Sequence, residues 1–384
     1  MSLRHRLAIG VGVLGLMLSL GASPQNTDFS QKSKPTTLKV LLQKQASDLV
    51  LEVKGRHYIY NPLDGTQISW GILSKRFPLK AEAYGIHWGE KFPGSFQLRF
   101  VPGDSQSSVL VNGVQYPGCV EVYLTDGKFN VINEVDVENY LRSTLSSEFP
   151  HPFHEEVMSA VSIVARTHAY FISQRNQHAF WHVTADEVGY QGASMLPKQH
   201  VAKAVDSTYH AILTFQQQPF AATWTQNSAG RTVDFAAIFR KAIATPPGVE
   251  APIALKDRSH SRWSCSFSKE LLAKAAELPQ VTGIDLYVAS QSEKVYAVKI
   301  SGEGLAKDYD FTTFQRIIGK SKLRSNDFKV QLKGDEIVFT GYGEGPGVGL
   351  CLYSARILAE KGEKAPQILQ LFFPETKLEK VNPL

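Results

Sequence analysis

Glu148 is the residue of this sequence whose type and setting best suit chemistry. In DVENYLRSTLSSEFP, residues 136–150, Tyr140, Leu141, Leu145 and Glu148 recur at helical spacing, with Asp136 placed to cap the helix start. Glu148 thus extends an apolar stripe, and Pro150 and Pro152 oblige the chain to leave the helix beside it. Two readings stand for such a carboxylate. It is held by hydrogen bonds as a structural group, or it is set in a cleft where burial favours its protonated form, as a general acid requires. No second carboxylate stands at a recognisable spacing, since Asp136, Glu138, Glu155 and Glu156 suit helix-cap and first-turn positions. Hydrolysis of a glycosidic bond ordinarily employs two carboxylates. An elimination in which the substrate's own hydroxyl attacks needs only one, acting first as acid and then as base.

Other chemistries lack their residues. No serine sits in a GxSxG elbow, and there is no HExxH. His178 and His182 are four apart but flank Phe180 and Trp181 in a loop-rich stretch, and no third ligand is indicated, so neither a metal nor a cofactor is expected. The glycine-rich GYGEGPGVG, Gly341 to Gly349, opens an expected helix over 350–360. It has no P-loop lysine and no preceding strand–helix–strand unit, so it reads as a tight loop packed on the central helices.

The elements that must position Glu148 are legible on both sides. A second helix is expected from Glu155 to about Ser173, with Val157, Ala160, Val161, Val164 and Phe171 on one broad face and Arg166 near its seam. Arg166 there is suited to supporting a carboxylate or binding an acidic ligand. Before Asp136 the chain is β-rich. Strands are expected at 38–42, 49–60, 95–101, 108–111, 119–124 and 129–131, with hairpin turns at Asn112–Gly113 and Asp126–Gly127 and a less regular piece over 73–88. Beyond the helices come a loop-rich segment over 176–197, a short helix over 199–208, strand character over 211–224 and a polar turn at 227–230. A helix follows over 268–276, capped by Ser268, with Leu271, Leu272 and Ala275 on one side, and then strands over 286–288, 295–300 and 328–332. The expected fold is mixed α+β, mostly antiparallel sheet packed against the central helical pair, with a β-rich N-terminal part.

The chain has 384 residues, 43% hydrophobic and 20% charged, which is globular composition and long enough for two domains. A formal charge of +5 suits an acidic polymer or a membrane surface, and is too diffuse to argue for nucleic acid. Cys119, Cys265 and Cys351 are far apart and odd in number, so at most one intramolecular bridge forms. Arg4, His5 and Arg6 precede an apolar run of about 14 residues, Leu7 to Leu20, and then Gly21, Ala22 and Ser23. That pattern is a secretory signal, short for a membrane-spanning helix, which needs roughly 20 residues. An uncleaved anchor is the other outcome of the same segment. The division expected is 1–22 as signal or anchor, 23–37 as a flexible lead-in, 38–135 as the β-rich part and 136–384 as the α+β core.

The motifs taken together resemble the SpoIID/LytB family, the stage II sporulation protein D group and its amidase-enhancer relatives. VENYLRSTLSSEFP followed by EEVMSAVSIVARTHAYF resembles the family signature of a glutamate after a short helix and then an Ala-Arg-Thr, here Ala165, Arg166 and Thr167. GYQG with Tyr190 and Gly192, SAGRT over 228–232, SRWS with Arg262 and Trp263, and the glycine-rich loop with Tyr353 and Ala355 follow in order. Tyr116 and Gly118 match upstream.

The resemblance covers roughly residue 38 to the C-terminus, and it implies peptidoglycan remodelling outside the inner membrane, in the periplasm or cell envelope. Members include lytic transglycosylases that cut between N-acetylmuramic acid and N-acetylglucosamine on peptide-stripped strands, leaving 1,6-anhydro ends. Glu148 falls on the family's catalytic glutamate. Arg166, Tyr190, Gln191 and Arg231 are the expected substrate contacts, with Trp181 and Trp263 placed either to stack on sugars or in the core.

The implied partners are glycan strands and an N-acetylmuramoyl-L-alanine amidase, with membrane contact only through an uncleaved N-terminal segment. The alternative is a non-enzymatic glycan-binding or amidase-enhancing protein. Two departures stand out: Thr225, in TQNSAG, and Pro346 occupy places where the family carries histidines, and Leu352 replaces a glutamine. Some members bind zinc through the first of these histidines and nearby cysteines, so zinc is not expected here.

Overall fold

The computed structural model describes residues 37–290 and 292–381. The expected export signal and nearly all of the lead-in lie outside the described residues. Among those described, no helix is long and apolar enough to cross a membrane.

The fold is mixed α+β with mostly antiparallel sheets and a β-rich N-terminal region, as the residue pattern implies. The chain divides into two compact units. Among the described residues, one comprises 37–152, 169–210 and 381, the other 153–168 and 211–380.

The first unit contains two sheets. The larger has seven strands in the order Val183–Thr184, Thr37–Ala46, Lys128–Asp136, Cys119–Thr125, Gln97–Pro102, His57–Tyr60 and Gln67–Gly71. The second has six, in the order Val114–Tyr116, Ser108–Val111, Leu49–Lys54, Lys75–Glu82, Gly85–Trp88 and Glu90–Pro93. Leu51, Val53, Trp88 and Val111 of the six-stranded sheet share one core with Ile59, Leu98, Phe100, Val120, Val122, Phe129 and Val131 of the seven-stranded one. This part therefore buries its apolar residues sheet on sheet. Asn112 and Asp126 both take positive φ ahead of glycines that do the same, the backbone a two-residue hairpin turn requires.

The stretch over 73–88 proves to be two strands, Lys75–Glu82 and Gly85–Trp88. Only Leu79 of the first is buried, so no alternation marks it, and Pro78 argued against it. The expected strand over 49–60 is two strands broken at Gly55.

Helix α1 spans Val137–Glu148 and helix α2 spans Glu155–Arg175. Val157 to Tyr170 are buried at every position except Ala165. α2 is thus an interior helix without a polar seam, and Arg166 is wholly buried.

In the second unit, Trp263, Leu272, Val298, Phe314 and Phe339 belong to one core built from two three-stranded sheets and two short helices. Ser268 caps the helix Lys269–Ala276 by accepting from the Leu271 N–H, as expected. Its buried face is Leu272, Ala273 and Ala276, while Leu271 is exposed, so the apolar face is turned one position from the expected one.

Candidate functional site

The strand Lys128–Asp136 runs directly into α1, and Asp136 makes the junction. Its carboxylate accepts from the N–H groups of Glu138, at 2.9 Å, and Asn139, at 3.3 Å, satisfying two of the donors a helix start leaves open. Tyr140, Leu141 and Leu145 are buried, which fixes the helix rotation. Glu148 is the last helical residue and is half-buried, while the next residue, Phe149, is buried and caps the helix through its N–H to the Leu145 carbonyl at 2.8 Å. Pro150 then stops it. The carboxylate stands at the end of a rigid helix, at the margin between interior and solvent.

Two hydroxyls on α1 hold the neighbouring loop, and a third stands close against it. Ser143 accepts from the Gln191 N–H at 3.2 Å, and Ser146 accepts from the Lys198 N–H at 2.9 Å. Gly189 lies so close to Ser147 that a Cβ there would meet Oγ at 2.9 Å, and its φ of 65° suits glycine. His200 meets the Phe149 carbonyl through Nε2 at 3.1 Å. Residues 189–200 are therefore laid along α1 and flank the helix end that bears Glu148. The sequence reading followed only the apolar stripe of α1. Its hydroxyl run, STLSS, was the signal for a docked loop.

This arrangement brings Tyr190 and Gln191 alongside the helix of Glu148. Gln191 is exposed. Tyr190 is buried, stacks on Tyr140 with centroids 6.0 Å apart, and donates its hydroxyl to Asn133 Oδ1 at 2.7 Å. Asn133 in turn donates to the carbonyls of Pro117 and Cys119 at 2.8 and 2.9 Å. Burial pushes the Tyr190 phenol well above its ordinary range, with Tyr116 and Tyr140 adding to the effect, so it stays protonated and acts as a donor. Asn133, which sequence reasoning passed over inside a strand, is the residue that locks this loop to the sheet.

Trp181 is half-buried and lines a separate cleft of the first unit. Arg166, Arg231 and Trp263 belong to the second unit. Arg166 donates to the Ala211 carbonyl at 3.1 Å in the interior. Arg231 is exposed and pairs with Glu250 at 2.9 Å. Trp263 is a core residue, 6% exposed, whose Nε1 donates to Ser325 Oγ at 3.2 Å, which sets it with the core rather than on a sugar-facing surface.

The glycine-rich loop is a backbone device. Gly343, Gly345, Gly347 and Gly349 take positive φ, whereas Gly341 belongs to the strand Glu336–Tyr342. The loop lies on the turn over 223–229. Thr225 Oγ1 donates to the Glu344 carbonyl at 2.8 Å and accepts from the Gly347 N–H at 3.2 Å. The Pro346 carbonyl accepts from Asn326 Nδ2 at 2.7 Å. At Gly349 a Cβ would stand 2.1 Å from the Thr223 carbonyl oxygen, in a backbone with φ of 74°. Gly349→Ala is therefore expected to lower stability by about 3 kcal/mol, read as a fall in the thermal or denaturant midpoint.

The donor set does not fit zinc. Where the family's histidine would stand, Thr225 spends its hydroxyl on the loop backbone, and among the described residues no three His, Cys, Asp or Glu side chains gather as a metal would need. His182, half of the spaced histidine pair, accepts the Lys39 backbone N–H on Nδ1 at 3.1 Å. Burial first, and the Lys39 charge second, hold its pKa down to about 4. Burial does the same to His168, also to about 4.

Both rings are neutral at pH 7, and their ordinary pKa is 6.5. Between pH 6.5 and 4 the unfolded chain takes up protons that the folded chain refuses, so stability must fall as pH falls. The contribution is complete above about 6.5 and is lost as pH drops toward 4, by on the order of a few kcal/mol for the two rings together. Denaturant midpoints measured from pH 8 to 4 should be flat above 6.5 and slope downward below it, with a shallower slope in His182→Gln.

Comparison with known proteins adds the family. The family model described as SpoIID, Stage II sporulation protein, matches residues 125–215, the span holding α1, α2 and the loop docked on α1. An uncharacterized protein of Chlamydia pneumoniae is 34% identical over 183 residues, covering 47% of this chain and 66% of its own length. One from Chlamydia muridarum is 33% identical over 179 residues, covering 46% and 62%. The chain thus spans slightly less than two thirds of the length of these two relatives. Stage II sporulation protein D of Bacillus subtilis is 25% identical over 287 residues, 69% of this chain and 80% of that protein. The SpoIID family model falls on the segment that carries Glu148, and the likeness to stage II sporulation protein D runs through most of the chain, so this protein carries a SpoIID domain over residues 125–215.

Proposed function

We propose that the protein is a peptidoglycan lytic transglycosylase that cuts between N-acetylmuramic acid and N-acetylglucosamine in peptide-stripped glycan strands. The SpoIID domain supports a cell-wall role. The finer reading rests on one observation. Glu148 ends a rigid helix at the border of solvent, flanked by a loop that hydroxyls of the same helix hold in place.

In this reading the protonated Glu148 gives its proton to the glycosidic oxygen as the bond to the muramyl C1 breaks. The resulting carboxylate takes the proton from the muramyl 6-hydroxyl, whose oxygen closes onto C1 as the 1,6-anhydro ring forms. One carboxylate is returned to its starting state, and no water is consumed. Positive charge develops at C1 and its ring oxygen in between, where a nearby carboxylate stabilises it. Gln191, exposed on the docked loop, is the group best set to contact the strand, with Tyr190 fixing the loop from beneath. Such a substrate places the protein in the periplasm or envelope, where an amidase that strips stem peptides would prepare the strands.

The test is mass spectrometry of peptide-free strands after incubation with the protein. New anhydromuramyl ends support the reading. Binding without cutting moves the protein to the glycan-binding or amidase-assisting alternative, which the substitution of the two family histidines by Thr225 and Pro346 favours.

A further inference from the structure

A cleft of about 420 Å³ opens in the first unit, away from α1, and its lining is uncharged throughout. That is within the range of small-ligand sites and notable in a chain of formal charge +5. Its floor follows from strand register. Gln97, Tyr123 and Asn130 stand directly opposite one another on three adjacent strands of the seven-stranded sheet. Their strand neighbours Leu98, Val122, Phe129 and Val131 are in the core, so by alternation these three side chains are on the sheet's other face. At about 4.8 Å per strand they make an amide–phenol–amide row roughly 10 Å long. Phe180 and Trp181 form one wall and Phe96 another, and Phe180 and Phe96 are 59% and 50% exposed.

The polar groups of the row are held in position. Gln97 Nε2 donates to Asn61 Oδ1 at 3.2 Å, and Asn130 Oδ1 accepts from the Gln45 N–H at 3.1 Å. These bonds use the amide nitrogen of Gln97 and the carbonyl of Asn130, leaving an acceptor on the first and a donor on the second. The Tyr123 hydroxyl is drawn to Glu121 at 2.8 Å, and its ring meets Phe180 edge-on with centroids 5.1 Å apart. A ligand suited to this floor and these walls is neutral, presents C–H faces to aromatic rings, and carries donors and acceptors around its edge.

We propose that this cleft binds a neutral saccharide of a few units, at a site separate from Glu148. Along the strand Lys128–Asp136, Asn130 lies seven residues, or about 23 Å, before the start of α1. The absence of any lining cation disfavours sugars with a free carboxylate and favours N-acetylglucosamine-type units, whose acetamido group matches the amides.

The experiment is calorimetric titration of the full chain with chitotetraose, with cellotetraose as a second arm. It reads binding alone, so its outcome is independent of cleavage at Glu148. Saturable binding is expected, at least about tenfold weaker in Phe180→Ala and in Phe96→Ala, substitutions of exposed rings that leave the core intact. Tighter binding of chitotetraose assigns the site to N-acetylated glycan, and equal binding assigns it to neutral sugars generally. No saturation up to about 10 mM, or unchanged affinity in both variants, overturns the proposal.

Discussion

Glu148→Gln is expected to remove nearly all formation of anhydromuramyl ends while leaving the protein folded. The two side chains are nearly isosteric, and glutamine keeps an acceptor and a donor at the same place, so contacts made by the half-buried group are largely preserved. What is lost is the proton. An amide neither protonates the departing glycosidic oxygen nor takes a proton from the 6-hydroxyl, and both halves of the reaction depend on that one group. General acid–base assistance is worth about 10²–10⁴-fold for a single transfer, so with the same group serving twice the rate should fall by at least about 10³.

The loss should appear in kcat with little change in KM, because glutamine still occupies the carboxylate's volume while the transition state loses its acid. Glu148→Asp separates role from position. It retains the acid but withdraws it by one methylene, and a shift of about 1 Å in a reacting group costs on the order of 10²-fold. An order of activity of parent, then Asp, then Gln is the signature of a proton-transferring group. If Gln retains parental turnover, the one-carboxylate mechanism is wrong and Glu148 has a structural role.

How far the sequence reveals this arrangement depends on what each residue's pattern reports. α1 was legible because three constraints agree there: an Asp cap, an apolar stripe and a proline stop. The hairpins at Asn112–Gly113 and Asp126–Gly127 were legible for the same reason, since their backbone demands those residue types. The strand Lys75–Glu82 was hidden because only Leu79 turns inward, so the alternation that betrays a strand is missing. Arg166 shows what spacing alone does not report: from Val157 to Tyr170 α2 is buried at every position but Ala165, and the guanidinium donates to the Ala211 carbonyl in that interior. The row Gln97–Tyr123–Asn130 was beyond reach, since side chains far apart in the chain become neighbours only through register.

The second large effect is expected at Asp327, far in sequence from Glu148 and in the other unit. Its carboxylate accepts from Arg258 through both oxygens, at 2.8 and 3.0 Å, and from Lys294 Nζ at 3.0 Å. The two cations also reach the turn that bears the family's SAGRT motif: Lys294 donates to the Ser228 carbonyl at 2.7 Å and Arg258 to the Ala229 carbonyl at 2.6 Å. The Lys294 side chain is 3% exposed, and its pKa is lowered, because burial outweighs the opposing attraction of Asp327. Asp327→Ala leaves that ammonium buried without a counter-charge and lets the turn at 228–230 loosen. Loss of one partner of a buried pair costs about 3–5 kcal/mol, and the denaturant midpoint should fall accordingly. Lys294→Met should cost less, since Asp327 keeps its two-point bond to Arg258 and the new side chain fills the same space. The pH profile carries the distinguishing sign. A lysine whose pKa is lower when folded gives a folded state that holds fewer protons than the unfolded one over the interval between the two values, so stability rises with pH there. Without Asp327 the folded pKa drops further and the interval widens. The deficit of Asp327→Ala should therefore be greatest near neutrality and shrink as pH approaches the ordinary lysine range of about 10.4, whereas a deficit that came only from lost packing would stay constant.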